Sequence, residues 1–357
     1  MPVADPLSVS AQGPVAELVD VSCDFSVRVP GRGKGTVHAV DHVDLSITRG
    51  RTLGLVGESG SGKSTLARLM LCLIRPTGGR VLLGGDDITM AKGARLRALR
   101  RRMQLVFQDP YSSFDPLANI GSSIGEALSV HTDLNSQARQ LRIAELLEQV
   151  RLPATFARRR PREVSGGQLQ RAAIARALAT EPELLVLDEP LSSLDVATQV
   201  QMVDLLGDLQ TRLGISYLFI SHDLNLVRSL SHRVAVMYLG RIVEEGPVKD
   251  IYHSAHHPYT QALLSASPSL DPAGRRQRIV LEGDIPSPMD PPSGCHFRTR
   301  CRSAMDVCAV EDPAKTEVGP LAVWCHLLDQ VVETGTVPSS LSEQASPTGG
   351  PHEEQSL

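Results

Sequence analysis

The sequence has few aromatic residues, no long apolar run and almost no net charge. Aromatic residues make up 3% of its 357 positions. No apolar stretch reaches the length of about 18 residues that a membrane-spanning helix needs. Its 36 Lys and Arg against 40 Asp and Glu give a formal net charge of −4, which excludes nucleic-acid binding through bulk positive charge but not through a local patch. The first residues do not resemble a secretion signal, so we expect a cytosolic protein.

Cysteine is also scarce, because six residues are too few for a disulfide scaffold in a chain of this length. Four of the six, however, lie in one short C-terminal segment: Cys295, Cys301, Cys308 and Cys325. Thiols this close together in a cytosolic protein favour a metal centre over disulfides. The absence of a C-x-x-C pair weakens a zinc-ribbon interpretation, whereas four cysteines at irregular spacing suit a [4Fe–4S] cluster. Zinc and no ligation at all remain the alternatives.

Apolar runs and helical periodicity predict an α/β fold. Runs that end in glycine or a polar residue predict buried parallel strands at Thr52–Gly57, Gln104–Gln108, Glu183–Asp188 and Tyr217–Ser221. Helices are predicted at Thr65–Ile74, Gln137–Val150 and Gly167–Thr180. Because no strand pattern occurs between Tyr111 and Thr180, we expect a helical subdomain inserted at about 112–178. The polar, Ser- and Pro-containing ends, 1–14 and 330–357, are expected to be disordered.

A phosphate-binding loop follows the first predicted strand. It fits G-x-x-x-x-G-K-[ST] with Gly57, Glu58, Ser59, Gly60, Ser61, Gly62, Lys63, Ser64 and Thr65. The glycines allow backbone N–H groups to surround phosphate oxygens, and the following helix directs its positive end at them. Lys63 supplies charge to the β- and γ-phosphates, and the Ser64 hydroxyl is a Mg²⁺ ligand. The pattern predicts a P-loop NTPase core that uses ATP and Mg²⁺; the alternative is a Gly/Ser turn that happens to contain a lysine.

The buried strand at Glu183–Asp188 ends in two carboxylates. Charge at the end of a buried strand needs a cation or a catalytic role to support it. Asp188 is predicted to hold Mg²⁺, directly or through water, and Glu189 to act as general base on the attacking water. The alternative is an ordinary helix start with Pro190 in the first turn.

The remaining motifs resemble those of ATP-binding-cassette (ABC) proteins over roughly residues 15–330. Ser165, Gly166, Gly167 and Gln168 resemble the family signature, and Gln168 precedes Asp188 by 20 residues. Val164 replaces the leucine that is commoner before this motif. Further matches are Gln108 to the Q-loop, Asp195 in Ser192–Asp195 to the D-loop, His222 to the switch histidine and Phe25 to the aromatic that stacks on adenine.

The resemblance implies a role for each match. The signature would bind the γ-phosphate held by the opposite subunit, so that ATP lies between two cassettes. Gln108 would reach Mg²⁺ or the water, and His222 would hydrogen-bond the γ-phosphate and Glu189. Taken alone, these residues are as easily an ordinary helix cap, a solvated glutamine and a structural histidine. Phe25 is equally natural as a core residue.

Residues 240–267, with His257, Pro258 and Tyr259, resemble the C-terminal extension of the oligopeptide/dipeptide branch of ABC importers, which includes peptide and nickel transporters. The resemblance implies a nucleotide-binding domain at 15–245 and an extension at 246–329 that carries the four cysteines. Members of this branch can hold a [4Fe–4S] cluster there. Arg298, Arg300 and Arg302 would then offset the charge of the cluster, or they are plain solvated surface.

We therefore expect the ATP-hydrolysing subunit of a peptide importer, peripheral at the cytoplasmic face of the membrane. The implied partners are a second cassette, two membrane-spanning permease subunits and, indirectly, an extracytoplasmic solute-binding protein. A soluble ABC ATPase acting on nucleic acid or ribosomes is the competing class. The two arginine runs, at 95–102 and 158–162, have no interleaved aromatics for base stacking, so no nucleic-acid partner is expected. Glu189 and His222 oppose a third possibility, a cassette that binds ATP without hydrolysing it.

Overall fold

The computed structural model describes residues 13–29, 33–266 and 278–329, and its strands there form two sheets. The larger sheet has eight strands in the order β11-β12-β10-β9-β3-β8-β7-β6. Its strands are β3 (Thr52–Val56), β6 (Met103–Val106), β7 (Leu184–Asp188), β8 (Ser216–Ile220), β9 (Arg233–Tyr238), β10 (Arg241–Pro247), β11 (Lys315–Val318) and β12 (Leu321–Trp324). The predicted α/β class is confirmed.

The centre of this sheet is parallel and buried on both faces. Strands β6, β7, β8, β3 and β9 run parallel to one another. Successive side chains of β7 enter opposite cores, with Leu184 and Val186 in one hydrophobic cluster and Leu185 and Leu187 in the other. The four predicted strands are present with ends shifted by one or two residues. Gly57, Gln108 and Ser221 therefore lie just beyond their strands, at the carboxyl edge where such sheets bind ligands.

A second, antiparallel sheet was not predicted from the sequence. It contains β1 (Ala16–Val29), β2 (Gly33–Ile47), β4 (Gly78–Leu83) and β5 (Asp86–Asp87) in the order β2-β1-β4-β5. Its buried side chains, including Leu18 and Val81, pack in one cluster with Leu66 and with one face of the main sheet. This sheet brings the β2 backbone beside the phosphate loop.

The helices are α1 (Lys63–Met70), α2 (Gly93–Arg102), α3 (Ile120–His131), α4 (Ser136–Gln149), α5 (Gly166–Leu178), α6 (Val196–Leu213), α7 (Leu224–Leu230), α8 (Val248–Ser254) and α9 (Pro258–Ala266). Three of the helices, α1, α4 and α5, lie close to the three that were predicted. Helix α1 ends four residues earlier than expected, and Cys72 then adopts a left-handed backbone. Between Tyr111 and Thr180, where every residue is described, all regular structure is helical, as expected. No helix of the described chain is long and apolar enough to cross a membrane.

The C-terminal segment joins the main sheet instead of forming a separate loop-rich unit. The β11–β12 hairpin pairs with β10 through Glu244↔Val323 and Glu245↔Ala322. Strand β10 itself crosses the predicted boundary between residues 245 and 246. The segments predicted to be disordered, 1–14 and 330–357, lie outside the described residues except for Gly13 and Pro14.

Candidate nucleotide-hydrolysis site

The loop Gly57–Thr65 connects β3 to α1 and depends on glycine geometry. Gly60 and Gly62 have φ values of 80° and 107°, in the left-handed region that favours glycine. A Cβ atom on Gly62 would lie 2.2 Å from the Ala39 carbonyl oxygen of β2. The loop therefore closes against the antiparallel sheet only because position 62 has no side chain.

Lys63 lies inside this loop and is 6% exposed. Its Nζ donates to the carbonyl oxygens of Gly57 and Glu58, each at 2.8 Å, and to Ser61 Oγ at 3.3 Å. Burial lowers the pKa of the ammonium group, and the nearby carboxylates of Glu189 and Asp188 oppose that shift. The arrangement places a cation at the N-terminus of α1, where an anionic phosphate is favoured.

The Ser64 hydroxyl and the Asp188 carboxylate lie side by side at the end of the phosphate loop. Ser64 Oγ donates to Asp188 Oδ1 at 3.1 Å, which joins the start of α1 to the end of β7. Burial raises the pKa of Asp188, whereas the bond from Ser64 lowers it. A hydroxyl and a carboxylate beside a phosphate loop fit Mg²⁺, which is bound by few protein oxygens together with phosphate and water.

Glu189 joins residues from three neighbouring strand ends. Its Oε2 accepts from Gln108 Nε2 at 3.2 Å and lies 3.2 Å from His222 Nδ1. Its own N–H donates to the Ile220 carbonyl oxygen, and its φ of 48° is left-handed, a strained backbone of the kind found at functional sites. A carboxylate held between an amide and an imidazole can accept a proton from water.

The signature residues form a second group on other elements. Ser165 caps α5, because its Oγ accepts the Gln168 N–H at 3.3 Å while Gln168 Oε1 accepts the Ser165 N–H at 3.0 Å. Asp195 caps α6 by accepting from the N–H and hydroxyl of Thr198, and a Cβ on Gly167 would lie 2.6 Å from that same residue. Gly166 lies between Ser165 and Gly167, in the first turn of α5. In the described chain, no hydrogen bond or ion pair joins this group to Gly57–Thr65.

A cavity of about 410 Å³ lies beside the signature group. It is lined by Ser165, Gly167 and Gln168, together with residues of the helical subdomain such as Arg171 and Phe156. The N-terminus of α5 thus faces open space.

Phe25 lies on β1 and pairs with Val37 of β2. Val37 is two residues before Ala39, whose carbonyl oxygen borders Gly62. Phe25 is 39% exposed, which is incompatible with the alternative of a core phenylalanine. Its position on the sheet that borders the loop leaves it available to a ligand.

Sequence reasoning missed two partners of Glu58. Arg300 donates to both Glu58 carboxylate oxygens, at 2.7 and 3.2 Å, and the Glu58 N–H donates to the Tyr259 hydroxyl at 2.8 Å. Arg300 is 9% exposed, so the solvated-surface alternative is wrong for this residue. No local pattern could have revealed a pair separated by 242 positions.

In the predicted basic runs, Arg95 and Arg100 bind backbone carbonyls, and Arg102 pairs with Glu183.

The four C-terminal cysteines converge without forming disulfides. Burial, together with the neighbouring thiols, raises the pKa of Cys301 to about 11 and that of Cys325 to about 12. Cys295 and Cys308 are within electrostatic range of both, and the Cys295 N–H donates to the Cys308 carbonyl at 2.9 Å. Within the described ranges, however, no group of three or more His, Cys, Asp or Glu side chains is arranged to hold a metal ion. The expected metal centre is therefore not confirmed.

Comparison with known proteins gives two family matches. Residues 40–192 match the model described as ABC transporter, and residues 243–308 match that of the oligopeptide/dipeptide transporter C-terminal region. A provisionally named peptide import ATP-binding protein of Brucella abortus (strain 2308) is 50% identical over 312 residues, which cover 86% of this chain and 92% of the relative. A peptide ABC transporter ATP-binding protein of Sinorhizobium fredii, also named provisionally, is 48% identical over 90% of both chains.

Two solved structures are similar to this fold. One is the ATP-binding cassette MJ0796 in a dimeric, post-hydrolysis state bound to ADP and Pi, with a TM-score of 0.59 and 29% identity over 65% of this chain and 98% of that chain. The other is cbiO1 from Clostridium perfringens, part of the ABC transporter complex cbiONQ, with a TM-score of 0.60 and 26% identity over 68% of this chain and 91% of that chain.

Proposed function

This chain belongs to the ABC transporter family as one of its ATP-binding subunits, and from that premise we propose that its ATP hydrolysis drives the import of peptides. The observation that carries this proposal is the pairing of a cassette with the oligopeptide/dipeptide C-terminal region in one chain that is 50% identical to peptide import proteins. We place the nucleotide-binding domain at 15–245 and the extension at 246–329. A soluble ATPase acting on nucleic acid or ribosomes is not favoured.

The site geometry supports a division of labour in hydrolysis. Lys63, released from its loop carbonyls, would bind the β- and γ-phosphates. Ser64 and Asp188, with Gln108, would hold Mg²⁺, which supplies charge neutralisation at the phosphates. Glu189 would take the proton of the attacking water at Oε2, while His222 and Gln108 orient that carboxylate.

A second cassette, of the same or a different sequence, would complete the site. The signature group Ser165–Gln168 and Asp195 lies apart from the phosphate loop of its own chain, so we propose that it binds the nucleotide of the partner cassette. Exposed Val196 and Val200 follow Asp195 on α6 and would be covered in such a dimer. The dimeric state of MJ0796 is consistent with this arrangement.

Permease subunits would bind near the Q-loop. Phe107, Tyr111 and Leu117 are large apolar residues exposed around Gln108 and the start of the helical subdomain. Apolar residues exposed this close together favour a protein interface. We propose that two membrane-spanning subunits bind this surface at the cytoplasmic face of the membrane, with a solute-binding protein acting from outside.

We also propose that Cys295, Cys301, Cys308 and Cys325 hold a [4Fe–4S] cluster, with zinc as the less favoured occupant. Every pair of the four thiols is within electrostatic range, and burial raises the pKa values of Cys295, Cys301 and Cys325. Thiols with raised pKa values lose their protons together only when a cation compensates them.

The cluster is tested by purifying the full chain without oxygen. We expect about four iron and four sulfide per chain and visible absorption, both lost in Cys308→Ser. Cys72→Ser, which changes a cysteine outside the group, is the matched control. Stoichiometric zinc, or no metal in the unaltered chain, would refute the cluster.

The transport function is tested by affinity purification of tagged Glu189→Gln protein with Mg-ATP from solubilised host membranes. A cassette that binds but does not hydrolyse ATP stays closed on its partners, so we expect two polytopic membrane proteins and a second cassette. The unaltered chain with ADP is the control. Recovery of ribosomal proteins or nucleic acid alone would exclude the importer and leave only the ATPase.

A further inference from the structure

The C-terminal extension contacts the phosphate loop directly, at Glu58. Arg300 belongs to the short 3₁₀ turn Arg298–Arg300, immediately before Cys301. Its guanidinium group makes a bidentate contact with the Glu58 carboxylate, at 2.7 and 3.2 Å. Such fork-shaped pairs fix orientation as well as charge. The loop that carries the cysteines and the loop that binds phosphate are thus joined by one side-chain pair.

Tyr259 makes the second contact, to the backbone of the same residue. Its hydroxyl accepts the Glu58 N–H at 2.8 Å, while its ring is fully buried. The ring packs against Tyr238 and Phe297, with centroids 4.7 and 5.4 Å apart, and Tyr238 and Phe297 also contact each other. Because α9 and the 295–301 loop both contribute to this aromatic cluster, the acceptor for Glu58 is held rigidly.

The pairing of Glu58 with Arg300 matters because Glu58 is negatively charged. Glu58 is the second residue of a loop whose ligand is strongly anionic, and its carboxylate would repel the phosphates if it were unpaired. Arg300 neutralises it from the side of the extension. The hydrolysis chemistry uses neither Arg300 nor Tyr259.

We propose that Arg300 and Tyr259 are positioning residues for the phosphate loop. Arg300 cancels the charge of Glu58 and orients its side chain, and Tyr259 fixes the loop backbone. Through these two contacts, the C-terminal extension sets the affinity of the cassette for ATP.

The test measures ATP binding and hydrolysis by the full-length chain. In Arg300→Gln we expect the ATP dissociation constant and KM to rise roughly tenfold, within the usual range of coupling between sites, while kcat at saturating ATP changes less than about twofold. Arg298→Gln is the matched control, because Arg298 lies on the same turn and its side chain donates to the carbonyl and hydroxyl of Ser293. It is expected to leave both constants unchanged.

A second substitution separates positioning from general damage. Adding Glu58→Gln to Arg300→Gln removes the unpaired charge, so ATP affinity should return to within about threefold of the unaltered chain. If the double variant binds ATP as weakly as Arg300→Gln, or if Arg300→Gln binds as tightly as Arg298→Gln, the charge role is wrong.

Tyr259→Phe tests the backbone contact where Arg300→Gln fails to fold. It keeps the ring in the aromatic cluster and removes only the acceptor for Glu58 N–H. We expect a rise of several-fold in the ATP dissociation constant with an unchanged kcat. An unchanged dissociation constant in a folded Tyr259→Phe chain would refute the role of the hydroxyl.

Discussion

Replacing Glu244 by glutamine should change how the stability of the protein depends on pH. Glu244 is on β10 and fully buried, and its carboxylate accepts the N–H groups of His256 and His257 at 2.7 and 3.2 Å. These bonds hold the turn that starts α9, the helix of Tyr259. Burial raises the pKa of Glu244 to about 7, although the hydrogen bonds to its oxygens oppose the shift.

The sign and size follow from linkage. The folded chain keeps the proton at pH values where the unfolded chain, with an ordinary value of 4.5, has released it. The protonated Glu244 carboxyl group therefore makes its full contribution to the free energy of unfolding below pH 4.5, and this contribution is lost as the pH rises to about 7. The difference between these two pKa values corresponds to about 3 kcal/mol. Glutamine is neutral throughout, so Glu244→Gln should gain about this much free energy of unfolding relative to the unaltered chain across the same range.

The assay is denaturant unfolding of both proteins at a series of pH values from 4.5 to 8. Because other carboxylates titrate in both proteins, only the difference between them reports Glu244. Glu126→Gln, at an exposed position of α3, is the control for replacing a glutamate that is not buried. A Glu244→Gln difference that does not vary with pH would show that the Glu244 carboxyl group ionises alike in the folded and unfolded chains, contrary to the burial argument.

Two further substitutions test the hydrolysis site. Glu189→Gln should lower the ATPase rate by about 10²–10⁴-fold in a steady-state assay, with ATP affinity nearly unchanged, because the amide keeps the shape but cannot accept the proton; an unchanged rate would remove Glu189 from the role of base. Gly62→Ala should abolish ATP binding in a calorimetric titration, since its Cβ would lie 2.2 Å from the Ala39 oxygen at a φ of 107°. Gly207→Ala, whose Cβ meets nothing within 4 Å, should bind ATP normally, and equal binding by the two variants would contradict the steric argument.

Local patterns predicted the parallel core and the loop well, because both depend on short-range signals. The buried runs before Gly57 and Asp188, and the cap at Ser165, are readable from neighbouring residues. The convergence of Gln108, Glu189 and His222 also follows, since parallel strands end at one edge. The helix after the loop begins at Lys63 and not at Thr65 because the glycine turn itself leads into the first helical residue.

Other features depend on contacts that local patterns do not encode. Strands β1 and β2 pair antiparallel and are half exposed along their outer lengths, so they carry no continuous apolar run. The β11–β12 hairpin was missed because each strand has only four residues in a Pro- and Gly-rich region. Glu58 and Arg300 come into contact only in the folded chain, because 242 positions separate them in the sequence.

The addition of β12 to β10 has a consequence for any attempt to shorten this protein. Without the hairpin, the backbone N–H and C=O groups of β10 would form the open edge of a large sheet, which is a template for pairing with other chains. A chain cut after β10 should therefore aggregate instead of behaving as a minimal cassette. We therefore expect removal of the extension to lower the solubility of the ATPase core as well as to break the contacts with its phosphate loop.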